Sequence, residues 1–307
     1  MTTREFTLQA SDGQSLALYH WAPAGDARAV VQISHGMAEH GARYARLGEA
    51  LAAEGYAVYA SDHRGHGKTA AAEDDLGFFA AKDGWARVIA DLHEINRHLA
   101  SEHPDVPRCL LGHSMGSLAS LSYLETHPGS VDAAVLSGTA NAGTLLHEAG
   151  VLIAKLERLR QGPRGRSRLI AFMSFGSFNN DFKPARTAFD WLSRDAHEVD
   201  LYVADPRCGF DCTNQLWIDF LEGLIDLARP DRLARIPKQL PVYLFAGARD
   251  PVGEKGKGVE AIVAKLRGAG VEPVTMRLYE DARHETLNET NRDEVTADLI
   301  AWLDSVF

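Results

Sequence analysis

Ser114 lies in Gly112-His113-Ser114-Met115-Gly116, a G-x-S-x-G run that follows the apolar stretch 108–111 and precedes a helix-like stretch, 117–126. With a strand before it and a helix after it, this pattern reads as a nucleophile elbow, a sharp turn that holds the serine hydroxyl exposed on a strained backbone. Small residues two positions before and after let the turn close. Alone, the run equally fits an ordinary strand-to-helix turn with an N-capping serine. A serine nucleophile further needs a base to take its proton and a third group to hold that base in one tautomer.

In the elbow architecture these partners follow in the order serine, acid, histidine. Downstream of Ser114 stand His127, His147, His197 and His284. His127 closes the helix that starts at the serine, and His147 and His197 fall in a stretch without strand rhythm. His284 follows the last predicted strand, in Glu280-Asp281-Ala282-Arg283-His284-Glu285, and is the candidate base. Asp250 is the first loop carboxylate after the buried run 242–246 and is the candidate acid. Separately, Asp250 suits a turn before proline and His284 a solvated loop; their joint order favours a triad of Ser114, Asp250 and His284. Acyl transfer also needs donors for the developing oxyanion. The Met115 N–H is one candidate. Met37, in Ser34-His35-Gly36-Met37-Ala38-Glu39-His40 after an early strand, is the other, with Gly36 expected to take an unusual backbone angle that turns the Met37 N–H toward the site.

The elements that must position these residues alternate. A hairpin over 5–9 and 15–21 turns at Asp12-Gly13, followed by strand 29–34, helix 44–54, strand 57–61, helix 85–101, strand 108–112, helix 115–126 and strand 131–137. After about residue 140 the rhythm breaks into helix-rich sequence, with 199–204 as a short extended candidate. It resumes with strand 242–246, helix 259–267, strand 274–279 and helix 291–303. This pattern predicts an α/β fold with a mostly parallel sheet covered by helices on both faces. Residues 1–139 and 237–307 form the core domain, and 140–236 a helical cap inserted over the carboxyl ends of the strands, where ligands bind in such folds.

Composition narrows the function classes. The 307 residues are 45% hydrophobic and carry a net formal charge of −10, which argues against a nucleic-acid partner. Cys109, Cys208 and Cys212 cannot build a disulfide framework, and 208 and 212 lack a second metal-ligand pair, so reduced thiols in a cytoplasmic protein are expected. No signal-peptide core or membrane-length apolar run is visible. Gly67-Lys68-Thr69 resembles the end of a phosphate-binding loop, but Asp62 stands where a glycine is required. Asp62, His63 and His66 are expected to brace the floor of the site rather than bind metal, and neither metal nor organic cofactor is expected.

Three features of the cap bear on substrate. The apolar stretch 151–154 with Leu156 and Leu159 is expected to pack inward, part of its helix being a candidate acyl-channel wall. Lys155, Arg158, Arg160, Arg164, Arg166 and Arg168 are opposed locally only by Glu157; they suit a solvated loop, or transient contact with an anionic membrane surface. Phe175, Phe178, Phe182, Phe189 and Trp191 are expected to form the cap's own core, with one or two in the pocket roof.

The set His35-Gly-Met-Ala-Glu-His40, Asp62-His-Arg-Gly-His-Gly67, Gly112-His-Ser-Met-Gly116, Gly247-Ala-Arg-Asp250 and His284 resembles the monoacylglycerol lipase and lysophospholipase-like branch of the α/β-hydrolase fold, over about two thirds of the chain. The resemblance implies Ser114 as nucleophile, Asp250 and His284 as its partners, and the Met37 and Met115 amides as oxyanion hole. Ser117 departs from the third glycine often found there. The expected substrate is a small-molecule ester or lipid, a monoacylglycerol or lysophospholipid first, with no obligate protein partner implied. A short-chain carboxylesterase or a thioesterase is the nearest alternative, and a non-catalytic binding protein on the same fold the more distant one.

Overall fold

A computed structural model describes residues 2–143 and 145–307 of the chain. Among them, eight strands form one sheet: β1 (Thr2–Gln9), β2 (Ser15–Ala22), β3 (Ala29–Ser34), β4 (Tyr56–Ser61), β5 (Arg108–His113), β6 (Ala133–Ser137), β7 (Val242–Gly247) and β8 (Val274–Tyr279). Their spatial order is β1-β2-β4-β3-β5-β6-β7-β8. The opening hairpin pairs antiparallel, as does β2 with β4, and the remaining neighbours are parallel. β3, β4, β6 and β7 are buried along their whole length, which is why they read as continuous apolar runs, whereas edge strand β8 has partly exposed positions.

Ten α-helices accompany the sheet in the described residues: α1 (Ala45–Ala53), α2 (Gly84–Glu102), α3 (Met115–Thr126), α4 (Leu145–Gln161), α5 (Arg168–Phe175), α6 (Ala196–Ala204), α7 (Asn214–Leu227), α8 (Pro230–Leu233), α9 (Lys257–Gly268) and α10 (Arg292–Val306). Strand side chains alternate between faces. Leu110 and Leu136 therefore pack with Leu92 of α2, Leu118 of α3 and Ile262 of α9. Their neighbours Leu111 and Val135 pack on the other face, with Leu51 of α1 and Leu299 of α10. The expected helix 44–54 begins instead with a 3₁₀ turn, Gly41–Tyr44.

Between β6 and β7 the described chain is helical and irregular, without a strand. Residues 199–204, expected to extend, belong to α6: the Asp195 carboxylate caps it by accepting from the His197 N–H, and Val199 and Tyr202, three residues apart, supply its buried face. The leucines of α4 also depart from expectation. The helix packs on α7 and buries Val151 and Ala154, leaving Leu152, Leu156 and Leu159 in solvent, more than half exposed. The aromatic set forms a small core of Phe182, Trp191, Leu192 and Tyr202, with Phe175, Phe178 and Phe189 against it.

Two of the basic residues are structural. Arg164 pairs with Asp75 at 3.0 Å and lies over the Phe78 ring, and Arg166 donates to the carbonyls of Leu76 and Asp211. These contacts fasten the inserted segment to the loop before α2. No described helix is long and apolar enough to cross a membrane.

Candidate active site

β5 ends at His113 and α3 begins at Met115, so Ser114 alone makes the turn, at φ 52° and ψ −120°. That left-handed conformation costs a residue with a Cβ about 1–3 kcal/mol. The flanking glycines are required by close approach, not by backbone angle. A Cβ at Gly112 would lie 2.3 Å from the Gly116 carbonyl oxygen, and one at Gly116 would lie 2.0 Å from that of Ser34. The Ser114 N–H donates to the Ser137 carbonyl at 2.9 Å, tying the turn to the end of β6. Ser117, in place of a third glycine, is accommodated by donating its hydroxyl to the Ser114 carbonyl at 2.6 Å.

Asp250 follows β7 and is fully buried; its Oδ1 accepts the Val252 N–H at 2.8 Å and its Oδ2 the His284 Nδ1–H at 2.9 Å. With Nδ1 donating, the free electron pair of His284 is on Nε2. Burial of the ring opposes its protonation, but the charge and hydrogen bond of Asp250, with Glu285 and Glu39 adding to them, raise its pKa above the ordinary histidine value. Gly247 lets the histidine loop pass: a Cβ there would lie 2.1 and 2.2 Å from the Ala282 and Arg283 carbonyls. Trp191, from the aromatic core, lies beside the imidazole with its ring tilted by 38° and 5.3 Å between ring centres.

The elbow and the histidine loop meet through His113, whose ring lies 4.8 Å from that of His284. Burial, and then the neighbouring His284, lower the His113 pKa to about 4, so this ring stays neutral while its Nδ1 lies 3.2 Å from Ser137 Oγ. Among the described residues no hydrogen bond joins Ser114 Oγ to His284. Such bonds often tighten only when substrate is bound.

The loop after β3 differs from expectation in one respect. Gly36 does not carry the unusual angle; Ala38 does, at φ 55°. Gly36 is needed because a Cβ would lie 2.7 Å from Glu39 Oε1 and 3.2 Å from the Ser114 Cβ. Its N–H donates to Glu39 Oε1 at 2.5 Å. Neither the Met37 nor the Met115 N–H has an acceptor among the described residues, and Met115 stands in the first turn of α3, where an N–H has no intrahelical partner. One of these donors directly follows Ser114 in the chain, and the other belongs to the residue after Gly36, where an added Cβ would lie 3.2 Å from the Ser114 Cβ.

Asp62 and His63 brace this loop, whereas His66 bonds within its own turn, Nδ1 to the Arg64 carbonyl at 2.8 Å, with its ring 5.2 Å from that of His35. Asp62 accepts from the Tyr19 hydroxyl and from the N–H groups of Gly41 and Lys68. His35 Nε2 accepts the His63 N–H at 2.9 Å, which directs its Nδ1–H to the Gly36 carbonyl at 2.7 Å. Burial keeps His63 and His66 neutral, with pKa values of about 3 and about 4.

Two groupings are absent from the sequence reading. His40, Asp205 and Cys208 bring donor atoms within 4.8 Å of one another, and the 2.8 Å His40–Asp205 pair links the loop to the inserted segment. Arg43 joins Glu39 to Glu285. The second left a local trace: Arg43 stands one helical turn after Glu39, and Glu285 directly follows His284.

A mostly parallel eight-stranded sheet with this turn and this histidine–aspartate pair at its strand ends has the architecture of the α/β-hydrolases. A thermostable carboxyl esterase from Bacillus coagulans superposes with a TM-score of 0.91 at 26% identity, over 100% of this chain and 99% of that one. A monoacylglycerol lipase of Mycolicibacterium smegmatis is 29% identical over 98% of this chain and 97% of its own. The monoglyceride lipase of Mus musculus is 29% identical over 89% and 81%. The protein is accordingly a serine ester hydrolase of the α/β-hydrolase fold. Within that class the chain belongs to the serine aminopeptidase S33 family, whose model matches residues 25–291.

Proposed function

We propose that the enzyme hydrolyses carboxylic esters with an apolar acyl chain, monoacylglycerols or lysophospholipid-like lipids first, through Ser114, Asp250 and His284 and an acyl-enzyme intermediate. The observation that carries this reading is the buried His284–Asp250 pair at 2.9 Å, on the same sheet ends as a serine held at φ 52°. Nε2 of His284 removes the Ser114 proton as Oγ attacks the carbonyl, and Asp250 holds the ring and stabilises the imidazolium. The Met37 and Met115 N–H groups donate to the oxyanion. His284 then protonates the leaving alcohol, and water activated by the same nitrogen releases the acid.

The apolar acyl chain is favoured by the segment 140–236, read as a cap over the strand ends, and by the lipase names of the relatives. Exposed Leu152, Leu156, Leu159 and Phe172, with exposed Arg158 and Arg168 in the same two helices, give the cap apolar and basic residues suited to transient contact with an anionic lipid layer. The free cysteines fit a cytoplasmic location. A short-chain carboxylesterase is the second reading, favoured by the Bacillus esterase superposition.

Fluorophosphonate labelling with peptide mapping, run beside Ser114→Ala and His284→Ala, tests the machinery: the adduct is expected on Ser114 and lost in both variants. A panel of p-nitrophenyl esters and monoacylglycerols tests the substrate. Turnover that peaks at two to four acyl carbons would reject the lipase-like assignment and leave the esterase.

A further inference from the structure

The site described above is assembled from two loops far apart in sequence, one after β3 and one after β8, and a single buried guanidinium bonds to a carboxylate in each. Arg43 Nη1 donates to Glu39 Oε2 and to Glu285 Oε1, and its Nη2 donates to Glu285 Oε2, all at 2.7 Å. All three side chains are largely buried, Arg43 at 12% exposure. The second oxygen of Glu39 accepts the Gly36 N–H at 2.5 Å and the Tyr44 hydroxyl at 3.0 Å. The chain of contacts thus runs from the N–H of Gly36, the residue before Met37, through Glu39 and Arg43, to the residue next to His284.

We propose that Arg43 is a positioning residue for ester hydrolysis, holding the Met37 oxyanion donor and the His284 base in one register through Glu39 and Glu285. The proposal rests on the reading of Ser114, Asp250 and His284 as the triad. Its geometry uses what only arginine supplies: a planar fork that serves one carboxylate with two parallel bonds while a further N–H reaches the other. Lysine, a point charge, cannot hold both in one plane.

Two carboxylates against one guanidinium also leave a net negative charge beside His284, whose ring becomes cationic in the transition state. Burial alone would push the Glu285 carboxyl up, but Arg43 holds it well below the usual range, so the charge stays in place. The inserted segment closes over the group: the Tyr202 ring lies under the guanidinium at 4.8 Å, and its hydroxyl donates to the Ala38 carbonyl at 2.9 Å.

The rival is an ion pair that only stabilises the fold. To separate them, Arg43→Lys, Glu285→Gln and the triple variant Arg43→Met/Glu39→Gln/Glu285→Gln are compared with Ser114→Ala on a soluble p-nitrophenyl ester. The triple variant removes every charge and leaves none buried alone, so it is expected to keep a cooperative melt. Arg43→Lys and the triple variant are expected to lower kcat by about 10²-fold with KM within about threefold, and to slow fluorophosphonate labelling in parallel. Glu285→Gln is expected to move the acid limb of kcat/KM to lower pH, because losing a neighbouring negative charge eases deprotonation of His284. Folded variants with wild-type kcat and an unmoved pH profile would overturn the proposal. An active Ser114→Ala would instead overturn the triad reading, and this proposal with it.

Discussion

A methyl group at Gly116 would lie 2.0 Å from the carbonyl oxygen of Ser34, so the start of α3 rests directly on the end of β3. Both partners are backbone, held by the sheet on one side and the helix on the other, and neither can swing away. Gly116→Ala should therefore push the elbow off the sheet. The expected loss is about 1–3 kcal/mol of stability from overpacking and on the order of 10²-fold in kcat from the displaced serine. Thermal melts and ester kinetics on the same sample check both. A variant with unchanged activity would mean that the elbow tolerates movement.

On the proposed mechanism, the pH dependence of turnover follows from His284. Its pKa is raised above the ordinary histidine value, and a general base acts only when neutral. The acid limb of kcat/KM should accordingly lie above that of a free histidine, at about 6.5. Asp250→Asn removes the charge that holds the proton and presents an amide to Nδ1. The limb should then shift to lower pH while kcat falls by roughly 10⁴, as in serine-protease triads. A limb that stays in place in Asp250→Asn would assign the titration to another group.

Glu125 makes a prediction about stability rather than catalysis. Both of its carboxyl oxygens are buried without a hydrogen bond, the nearest cation being Arg232 at 3.9 Å, and burial pushes its pKa up to about 8. The folded state thus prefers the neutral acid, and the unfolded chain ionises first as pH rises. Below the unfolded pKa there is no penalty; it grows through the interval from about 4.5 to the folded value. Glu125→Gln should stabilise the protein by roughly 1–3 kcal/mol at pH 8 and by almost nothing at pH 4, read from denaturant melts at both. Equal effects at the two pH values would show that Glu125 is ionised when folded.

Most of what positions the site was legible because it depends on short-range signals. The strand–glycine–serine–glycine–helix order located the elbow, and apolar runs of six or so residues located the buried strands. Gly36 shows the limit: a glycine signals freedom from a Cβ, and only the fold reveals that the constraint is Glu39 and Ser114 nearby rather than a backbone angle, which falls on Ala38. Residues 199–204 misled because Val199 and Tyr202 have strand-forming side chains, while the Asp195 cap and the packing of both onto one face make a helix. The α4 leucines repeat at helical spacing on the face opposite Val151 and Ala154, and periodicity identifies a stripe without saying which side is wet.

That wet stripe gives the last prediction. Leu152, Leu156 and Leu159 project from α4 into solvent, Arg158 of the same helix and Arg168 at the start of α5 are exposed, and Arg164 and Arg166 are committed to contacts with the loop before α2. If the stripe meets a lipid layer, each leucine entering it contributes on the order of 1 kcal/mol or more. Leu152→Ser/Leu156→Ser/Leu159→Ser should then weaken binding to anionic vesicles by roughly 10²-fold and reduce turnover of vesicle-borne monoacylglycerol, while hydrolysis of a dissolved short ester stays near wild type. Arg158→Glu/Arg168→Glu should weaken vesicle binding in a salt-dependent way. Arg164→Glu is the contrasting variant: it breaks the Asp75 pair, so it should lower the melting temperature and affect both substrates alike. Vesicle binding and lipid turnover that survive the leucine changes would leave the stripe without a lipid role and shift the substrate assignment toward dissolved esters.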